Sequence, residues 1–352
     1  MVTIGVMAYS GIKAYMDGMT ETAKVFYEEN NLQDMNAYGL NFTENDLEKI
    51  KSIKNVKNAE RKSSITATTD NDNTLLLNII ETNEISKFYV IDGEGFSNKD
   101  GIWLDNFYAI ENNIKVGDTI KVNDKTKKVL GLINVPDHLY DTKDESELFP
   151  NRKTFGFAYV NKMDNVSYNY IMVDLEDTTK YNETKEEIEE SLSNVLAVID
   201  IKDTASYKTY QGEIDEGKTY VGVFSGLFLL IALLSTLTTM TRVVQNQRTQ
   251  IGTLKALGFS NKQILMHYIG YGFYISLLGA IAGLILGYFF IGNVFINLEM
   301  SFFEVPNGKP LMNSVSYLVA ALTILAIIIV TIISVKNILK ETPASCLQKD
   351  PP

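Results

Sequence analysis

Cysteine, histidine and tryptophan are almost missing from this chain of 352 residues, which holds one Cys, two His and one Trp. The lone thiol, Cys346, leaves no internal disulfide and no zinc site of the paired-cysteine kind. His138 and His267 lie far apart in sequence, so the usual His-centred catalytic machinery is hard to build. No Gly-x-x-x-x-Gly-Lys-Ser/Thr loop occurs, which excludes ATP binding in the P-loop manner, and there is no nucleophile elbow and no HExxH. Charge is absent from three stretches, Val221–Met240, Ile269–Ile291 and Val315–Val335. Each is long enough for a hydrocarbon layer of ~30 Å, which takes about 20 residues to cross. With no ionisable side chain inside them, a proton- or sodium-coupled transporter and a channel with charged rings are both disfavoured.

The charge that is present is divided. Residues 1–219 carry a net charge of -15 and residues 220–352 one of +4. An acidic polar half argues against nucleic acid as a partner, since phosphate binding requires clustered Lys and Arg. Between the first two apolar runs, Arg242, Arg248, Lys255 and Lys262 occur with no acidic residue among them. Short loops rich in Lys and Arg stay in the cytoplasm. Residues 242–267 are therefore expected inside, and the polar segment 31–203 outside. Glu299, Glu304 and Lys309 give the next loop no positive excess, whereas Lys336 and Lys340 return the C-terminus to the inner side. Within the basic loop, Val244, Gln247, Ile251, Leu254, Leu257 and Phe259 form a stripe near helical spacing. Gly258 is its expected C-terminal stop.

These residues carry a resemblance. QRTQIGTLKALGFSNKQI is similar to the cytoplasmic coupling segment of FtsX/MacB-type ABC transporter permeases, in which Arg-x-x-Ile-Gly-x-Leu-Lys-Ala-Leu-Gly is typical. Here Arg248, Ile251, Gly252, Leu254, Lys255, Ala256, Leu257 and Gly258 supply that pattern. The resemblance implies a separate ATP-binding subunit gripping this helix, with Ile251, Leu254 and Leu257 as apolar contacts and Arg248 and Lys255 as polar ones. ATP belongs to that partner, and no cofactor is expected on this chain. The tail's Pro343-x-x-x-Leu347 resembles the ending of such modules.

In chain order, Met1 to Ile12 is apolar but only about a dozen residues long, short of a full span. The resemblance implies the last half of a first membrane helix; a buried or interfacial helix is the alternative. Ala14 to Asn30 continues as a stalk helix with Tyr15, Met16, Met19, Ala23, Phe26 and Tyr27 on one stripe. Residues 31–203 read as an α+β domain. Strands are expected at MNAYGL, Val56–Thr69, TLLLNII, KFYVI, SYNYIMVDL and VLAVIDI. Helices are expected at Glu44–Ile53, capped by Thr43, and at Glu183–Asn194, burying Ile188 and Leu192. Lys57, Glu60, Arg61 and Lys62 are read as solvated. Residues 92–150, with IWLD, IKVGDTIKV and KKVLGLINV, form a β-rich insert around Trp103, expected as a core or edge residue. Asp141, Asp144, Glu145 and Glu147 lack the spacing of a calcium loop and read as a solvated acidic loop. The sequons at Asn41, Asn165 and Asn182 carry little weight. Residues 204–219 give a second stalk helix, 220–340 the permease membrane domain and 341–352 a cytoplasmic tail.

Gly279, Gly283 and Gly287 form a ridge that admits a second helix closely, either within the chain or from another permease module or a homodimer. The expected architecture is thus an integral membrane protein of three full helices and a partial first one, with an α+β extracytoplasmic domain. The expected function is non-enzymatic: a permease subunit that converts ATP hydrolysis on its partner into movement of the outer domain. Its cargo would be a lipid-linked, peptide or drug-like molecule. An FtsX-like signalling protein that regulates a cell-wall hydrolase, or a membrane sensor, is the alternative.

Overall fold

The computed structural model describes residues 1–144, 146–161 and 166–347. Glu145, the sequon at Asn165 and the tail beyond Leu347 lie outside them. The chain opens with helix α1 (Val2–Glu29). A mixed domain follows: β1 (Met35–Gly39), α2 (Glu44–Lys51), β2 (Val56–Thr68), β3 (Thr74–Ile80), β4 (Tyr89–Gly93), β5 (Ile102–Asp105), α3 (Asn106–Glu111), β6 (Thr119–Val122), β7 (Lys125–Asn134), β8 (Phe155–Asn161), β9 (Tyr170–Leu175), α4 (Tyr181–Ser191) and β10 (Val195–Asp200). Then come the long helices α5 (Ala205–Asn246), α6 (Arg248–Ala256), α7 (Asn261–Leu286), α8 (Asn293–Glu299), α9 (Ser314–Leu339) and the short α10 (Pro343–Leu347). Two compact units divide the chain: Met1–Glu21, Ile214–Leu298 and Gly308–Pro352 form one, Thr22–Glu213 and Glu299–Asn307 the other. Helices α1 and α5 run unbroken through both divisions.

In the helical unit, three helical stretches are long and apolar enough to cross a membrane: Ala205–Asn246, Asn261–Glu299 and Ser314–Leu339. Phe224, Leu230, Leu278 and Leu322 stand exposed on their flanks, as expected of helices whose surroundings are lipid. The glycine ridge is taken up within the chain. A Cβ on Gly279 would meet Val2 at 3.1 Å, one on Gly283 would meet Val6 at 2.8 Å and the Thr3 carbonyl at 2.9 Å, and one on Gly287 would strike Ser10. The ridge therefore seats the apolar first turns of α1, and Ser10 Oγ donates to the Gly283 carbonyl at 3.4 Å. Beyond Gly287 the helix widens into a π turn, Gly287–Gly292, before α8. Gly11 packs on that turn, where an added Cβ would lie 2.5 Å from Ile291.

The mixed domain is built on one ten-stranded sheet of order β10-β1-β9-β2-β3-β8-β5-β7-β4, with β6 paired to β7. Strands from both ends of the segment interleave, since β10, β1, β9 and β2 lie side by side. The stretch 92–150 behaves differently from a separate subdomain: β5 and β7 extend the same sheet through β8. Strand β8, which the sequence reading passed over, is the joint. It pairs parallel with β3 and buries six consecutive residues, so it shows no alternation to find. On one face, α2 and α4 cover a core with Ile50, Ile171, Ile188 and Val198, while α3 and the β6–β7 hairpin cover another with Leu75, Ile102, Tyr108 and Val129. On the opposite face Trp103 is fully buried beside Phe88, Phe157 and Tyr159, and its indole donates to the Glu94 carbonyl at 3.0 Å.

The expectation that Glu60, Arg61 and Lys62 are solvated is overturned, because β2 lies inside the sheet between β9 and β3 and both its faces are covered at these three residues. Glu60 accepts hydrogen bonds from Thr82, Glu84 N and Ile85 N at 2.5–3.1 Å. Arg61 pairs with Glu44 at 2.5 Å and Glu81 at 2.6 Å and lies over the Tyr168 ring. Lys62, with no exposed surface, donates to Asp137 and to the Tyr159 hydroxyl, each at 2.9 Å. Burial pushes the Asp137 carboxyl up, but Lys62 and His138 outweigh it and hold it at about 2. Lys57 alone of the four keeps an exposed side chain, paired with Asp174.

The segment Glu299–Asn307 belongs to this unit. Its Glu304 is fully buried, with its backbone N–H on the Leu139 carbonyl at 2.9 Å and its side chain on Arg152 and Asp105. Asp105 is also fully buried, and its other oxygen caps α3 by accepting from Phe107 N at 2.8 Å. Glu304 thus pairs with Arg152, which also acts through space on Asp105, and a proton on either carboxyl would satisfy the oxygens Asp105 Oδ2 and Glu304 Oε2 that have no other partner. Burial pushes Asp105 up, with Arg152 offsetting only part, to about 6; burial and Asp105 push Glu304 well up. Arg152, Asp141 and the partner carboxyl are the charged groups that act on the pair.

Two outcomes follow from this packing. Gly283→Leu is expected to lower stability by about 1–3 kcal/mol through overpacking against α1. Gly270→Leu, where a Cβ meets nothing within 4 Å, should not, as thermal unfolding in detergent will show. A carboxyl whose folded pKa is raised stabilises the fold below its unfolded pKa and loses that contribution as pH rises through the folded value. Wild type should therefore lose on the order of 3 kcal/mol relative to Asp105→Asn between pH 4 and about 7. An unfolding midpoint difference between the two that does not move with pH would show that the pair is not protonated.

Candidate coupling site

The basic loop folds as a helix–turn–helix whose turn is capped from both sides. Helix α5 ends at Asn246, Gln247 makes a bend, and α6 begins at Arg248. At the far end Gly258 adopts φ +92°, a conformation that costs other residues dearly. Its N–H reaches the Lys255 carbonyl, and the N–H of Phe259 reaches the Leu254 carbonyl, both at 3.1 Å. That pair of bonds is a Schellman closure of α6. Two residues later Ser260 caps α7: its hydroxyl accepts from Gln263 N at 3.3 Å while the Gln263 side chain accepts from Ser260 N at 2.9 Å. The sequence Leu-Gly-Phe-Ser therefore stops one helix and starts the next with no free residue between the two caps.

Packing divides the residues of the stretch into two sets. Ile251 has no exposed surface and packs with Val244, Ile264, Tyr268, Val335 and Ile338; Gly252 is buried beside it, and Leu254 is half-buried against the same cluster. Arg248 grips Glu341 through Nε at 2.8 Å and Nη2 at 2.7 Å. Lys255 donates to the carbonyls of Leu339 and Glu341, both at 2.8 Å, at the C-terminal end of α9 where a cation is favoured. These residues therefore hold α6 to the end of α9 and to α10, which packs beside it. Of the residues expected to meet a partner, Ile251 is wholly covered by these contacts, while Arg248 and Lys255 make theirs within the chain and stay partly exposed.

What faces outward is Ala256, Leu257, Gly258 and Phe259, with Lys262, Met266 and His267 on the first turns of α7. Leu257 is 71% exposed and Met266 57%. The outcome is an apolar knuckle held between two capped helix ends, with Lys262 beside it. Sequence reasoning missed Met266 and the organising role of Glu341. The signal for Glu341 was present, since it is the only acid between Glu304 and Asp350 and follows directly on the last apolar run. Gly279, Gly283 and Gly287 play no part here; they seat α1. Among the described residues no group of three or more His, Cys, Asp or Glu side chains is placed to hold a metal.

Comparison with known proteins gives this geometry a family. Residues 1–191 match the family model of the MacB-like periplasmic core domain, and residues 222–343 that of the FtsX-like permease C-terminal domain. An uncharacterized ABC transporter permease of Methanocaldococcus jannaschii is 25% identical over 222 residues, which span 56% of this chain and 52% of that permease. The chain thus covers about half of that relative's length. Among solved structures, the extracellular domain of the noncanonic ABC-type transporter YknZ from Gram-positive bacteria aligns over 48% of this chain and 98% of its own, at 16% identity and a TM-score of 0.36. The periplasmic region of MacB from Actinobacillus actinomycetemcomitans aligns over 54% and 95%, at 12% identity and a TM-score of 0.35. With a MacB-like periplasmic core domain matched over more than half its length and an FtsX-like permease domain after it, the chain belongs to the FtsX/MacB-like family of ABC transporter permeases.

Proposed function

We propose that this chain converts ATP hydrolysis on a separate ATP-binding subunit into movement of its mixed domain, and that the subunit docks on the knuckle of Leu257, Phe259 and Met266. The observation that carries the reading is an exposed apolar surface held between two capped helix ends. A surface meant only for water would not display Leu257 at 71% exposure beside Phe259 at 48%. In this reading residues 242–267 and the C-terminus are cytoplasmic and 31–203 extracytoplasmic, as the positive-inside rule requires.

The mechanical logic follows from what is fastened to what. A push on the knuckle cannot bend α6 away alone, because Ile251 is buried and Arg248 and Lys255 tie it to the end of α9. The displacement passes to the apolar helices. Helix α5 has 42 residues without a break, about 63 Å at 1.5 Å per residue, roughly twice the hydrocarbon thickness. It and α1 thereby act as continuous rods into the mixed domain. Rigid elements with two discrete positions are what such coupling requires. The work done there is export or extrusion of a lipid-linked, peptide or drug-like molecule, with lipid around the apolar helices and a second permease module completing the transporter.

Leu257→Asp tests the docking. Because Leu257 is exposed, the variant should fold, with an unfolding midpoint near wild type. Loss of an apolar anchor of this kind costs at least 2 kcal/mol, about 30-fold in affinity. Co-purification of the ATP-binding subunit in mild detergent should fall accordingly, while Leu257→Met retains it. Undiminished capture and ATP-stimulated function in Leu257→Asp would sink the docking role.

A further inference from the structure

The sheet of the mixed domain is wider than its covering elements. On one face α2 and α4 cover one end, and α3 with the β6–β7 hairpin the other. The gap between them is a cleft of about 360 Å³. Its floor is apolar, made by Ile65, Leu77, Ile79, Ile102 and Val160, and the hairpin residue Val122 closes one side. The hairpin is fixed over the sheet: Asn123 Oδ1 accepts from Thr68 N at 3.0 Å, and its N–H donates to the Thr68 carbonyl at 3.0 Å. Ile65 is nevertheless 42% exposed, so the floor opens to the outside.

At one end this chamber adjoins a second of about 260 Å³, with Val160 and Lys127 shared between them. The second chamber is polar, lined by Asn98, Lys99, Asp100 and Asn161. Lys127 pairs with Asp100 and Lys99 with Glu94, while Lys125 stands exposed on the hairpin. Lys99, Lys125 and Lys127 are the lysines that line the two chambers, and Glu94 and Asp100 pair with the first and last of them. Lys125 thus brings positive charge to the mouth of the apolar cleft.

We propose that the two chambers form a binding site for a single-chain amphiphile with an anionic, hydroxyl-bearing head. The apolar chamber takes the chain; its volume lies at the low end for ligand clefts, enough for one acyl chain and too little for two. The lysines attract the head's negative charge. Asp100 and the two asparagines offer acceptors and donors to its hydroxyls. The site lies wholly within the mixed domain and needs no ATP-binding subunit, so it stands or falls separately from the docking reading above.

The test uses the full chain in phosphatidylcholine nanodiscs without any ATP-binding subunit. The probes are photoactivatable lysophosphatidylglycerol and its choline counterpart, with labelled peptides mapped by mass spectrometry. The anionic probe should label the peptides of residues 63–79 and 122–127 about tenfold more than the choline probe. Ile65→Trp, at an exposed position where the indole fills the chamber, should abolish that labelling with the unfolding midpoint unchanged. Lys99→Glu with Lys125→Glu, both exposed, should make the two probes equal. Labelling confined to α5, α7 and α9, equal labelling by both probes in wild type, or labelling unaffected by the lysine reversals would each overturn the site.

Discussion

Hydrocarbon offers no partner for a backbone N–H or C=O, so a chain that crosses it must satisfy every such group within its own helices. Most of the helical unit follows from that constraint. It demands runs without interruption, and α5 and α9 are uninterrupted. It also removes the usual hydrophobic incentive for helices to associate, since lipid is as apolar as they are. What remains is close contact, and the glycine ridge supplies it. Gly283 lets the backbone of α1 come so near that its own Cβ position falls 2.9 Å from a carbonyl oxygen of Thr3. The π turn at Gly287–Gly292 departs from regular helix at the point where Gly11 and Gly287 leave room for it.

At the basic end of the bundle the logic reverses, because water is available and charge can be used. The cations Arg248 and Lys255 read naturally as binding groups, yet they neutralise Glu341 and the unpaired carbonyls at the end of α9. A helix end presents carbonyls with no intrahelical partner, and a lysine close enough to reach them is drawn there. The polar reach of Arg248 and Lys255 is thus taken up inside the chain, and what α6 leaves exposed beside them is apolar.

How much of this was legible depends on how local each signal was. The three apolar runs, the cap at Thr43 and the stop at Gly258 are written in consecutive residues, and each is found where the residues put it. The reading failed where the answer depended on a distant strand. Glu60, Arg61 and Lys62 look like a solvated run until β9 and β3 close on either side of β2. The partners that make their burial tolerable, Asp137 and Glu81 among them, lie 75 and 20 residues away. Strand β8 escaped for the opposite reason. Buried on both faces, it has no alternation of polar and apolar residues, and only its pairing with β3 and β5 reveals that residues 92–150 extend one sheet. The division of the coupling stretch into an inner and an outer set was equally hidden, since Ile251 and Leu257 are alike in kind and differ only in which neighbours reach them.

The same argument explains why the mixed domain holds polar groups so deep. A sheet of ten strands crossing from α2 and α4 to the β6–β7 hairpin has more face than those elements can cover. Its middle is therefore open at Ile65, while beside α3 a gap is filled from a loop, where Glu304 meets Asp105 and Arg152. A loop that fills such a gap with a carboxylate pays heavily in desolvation unless a cation or a proton accompanies it. Arg152 provides the one and the raised affinity of the carboxyl pair for a proton provides the other. The segment Glu299–Asn307 thus meets its sheet through a carboxyl pair that burial biases toward the protonated form.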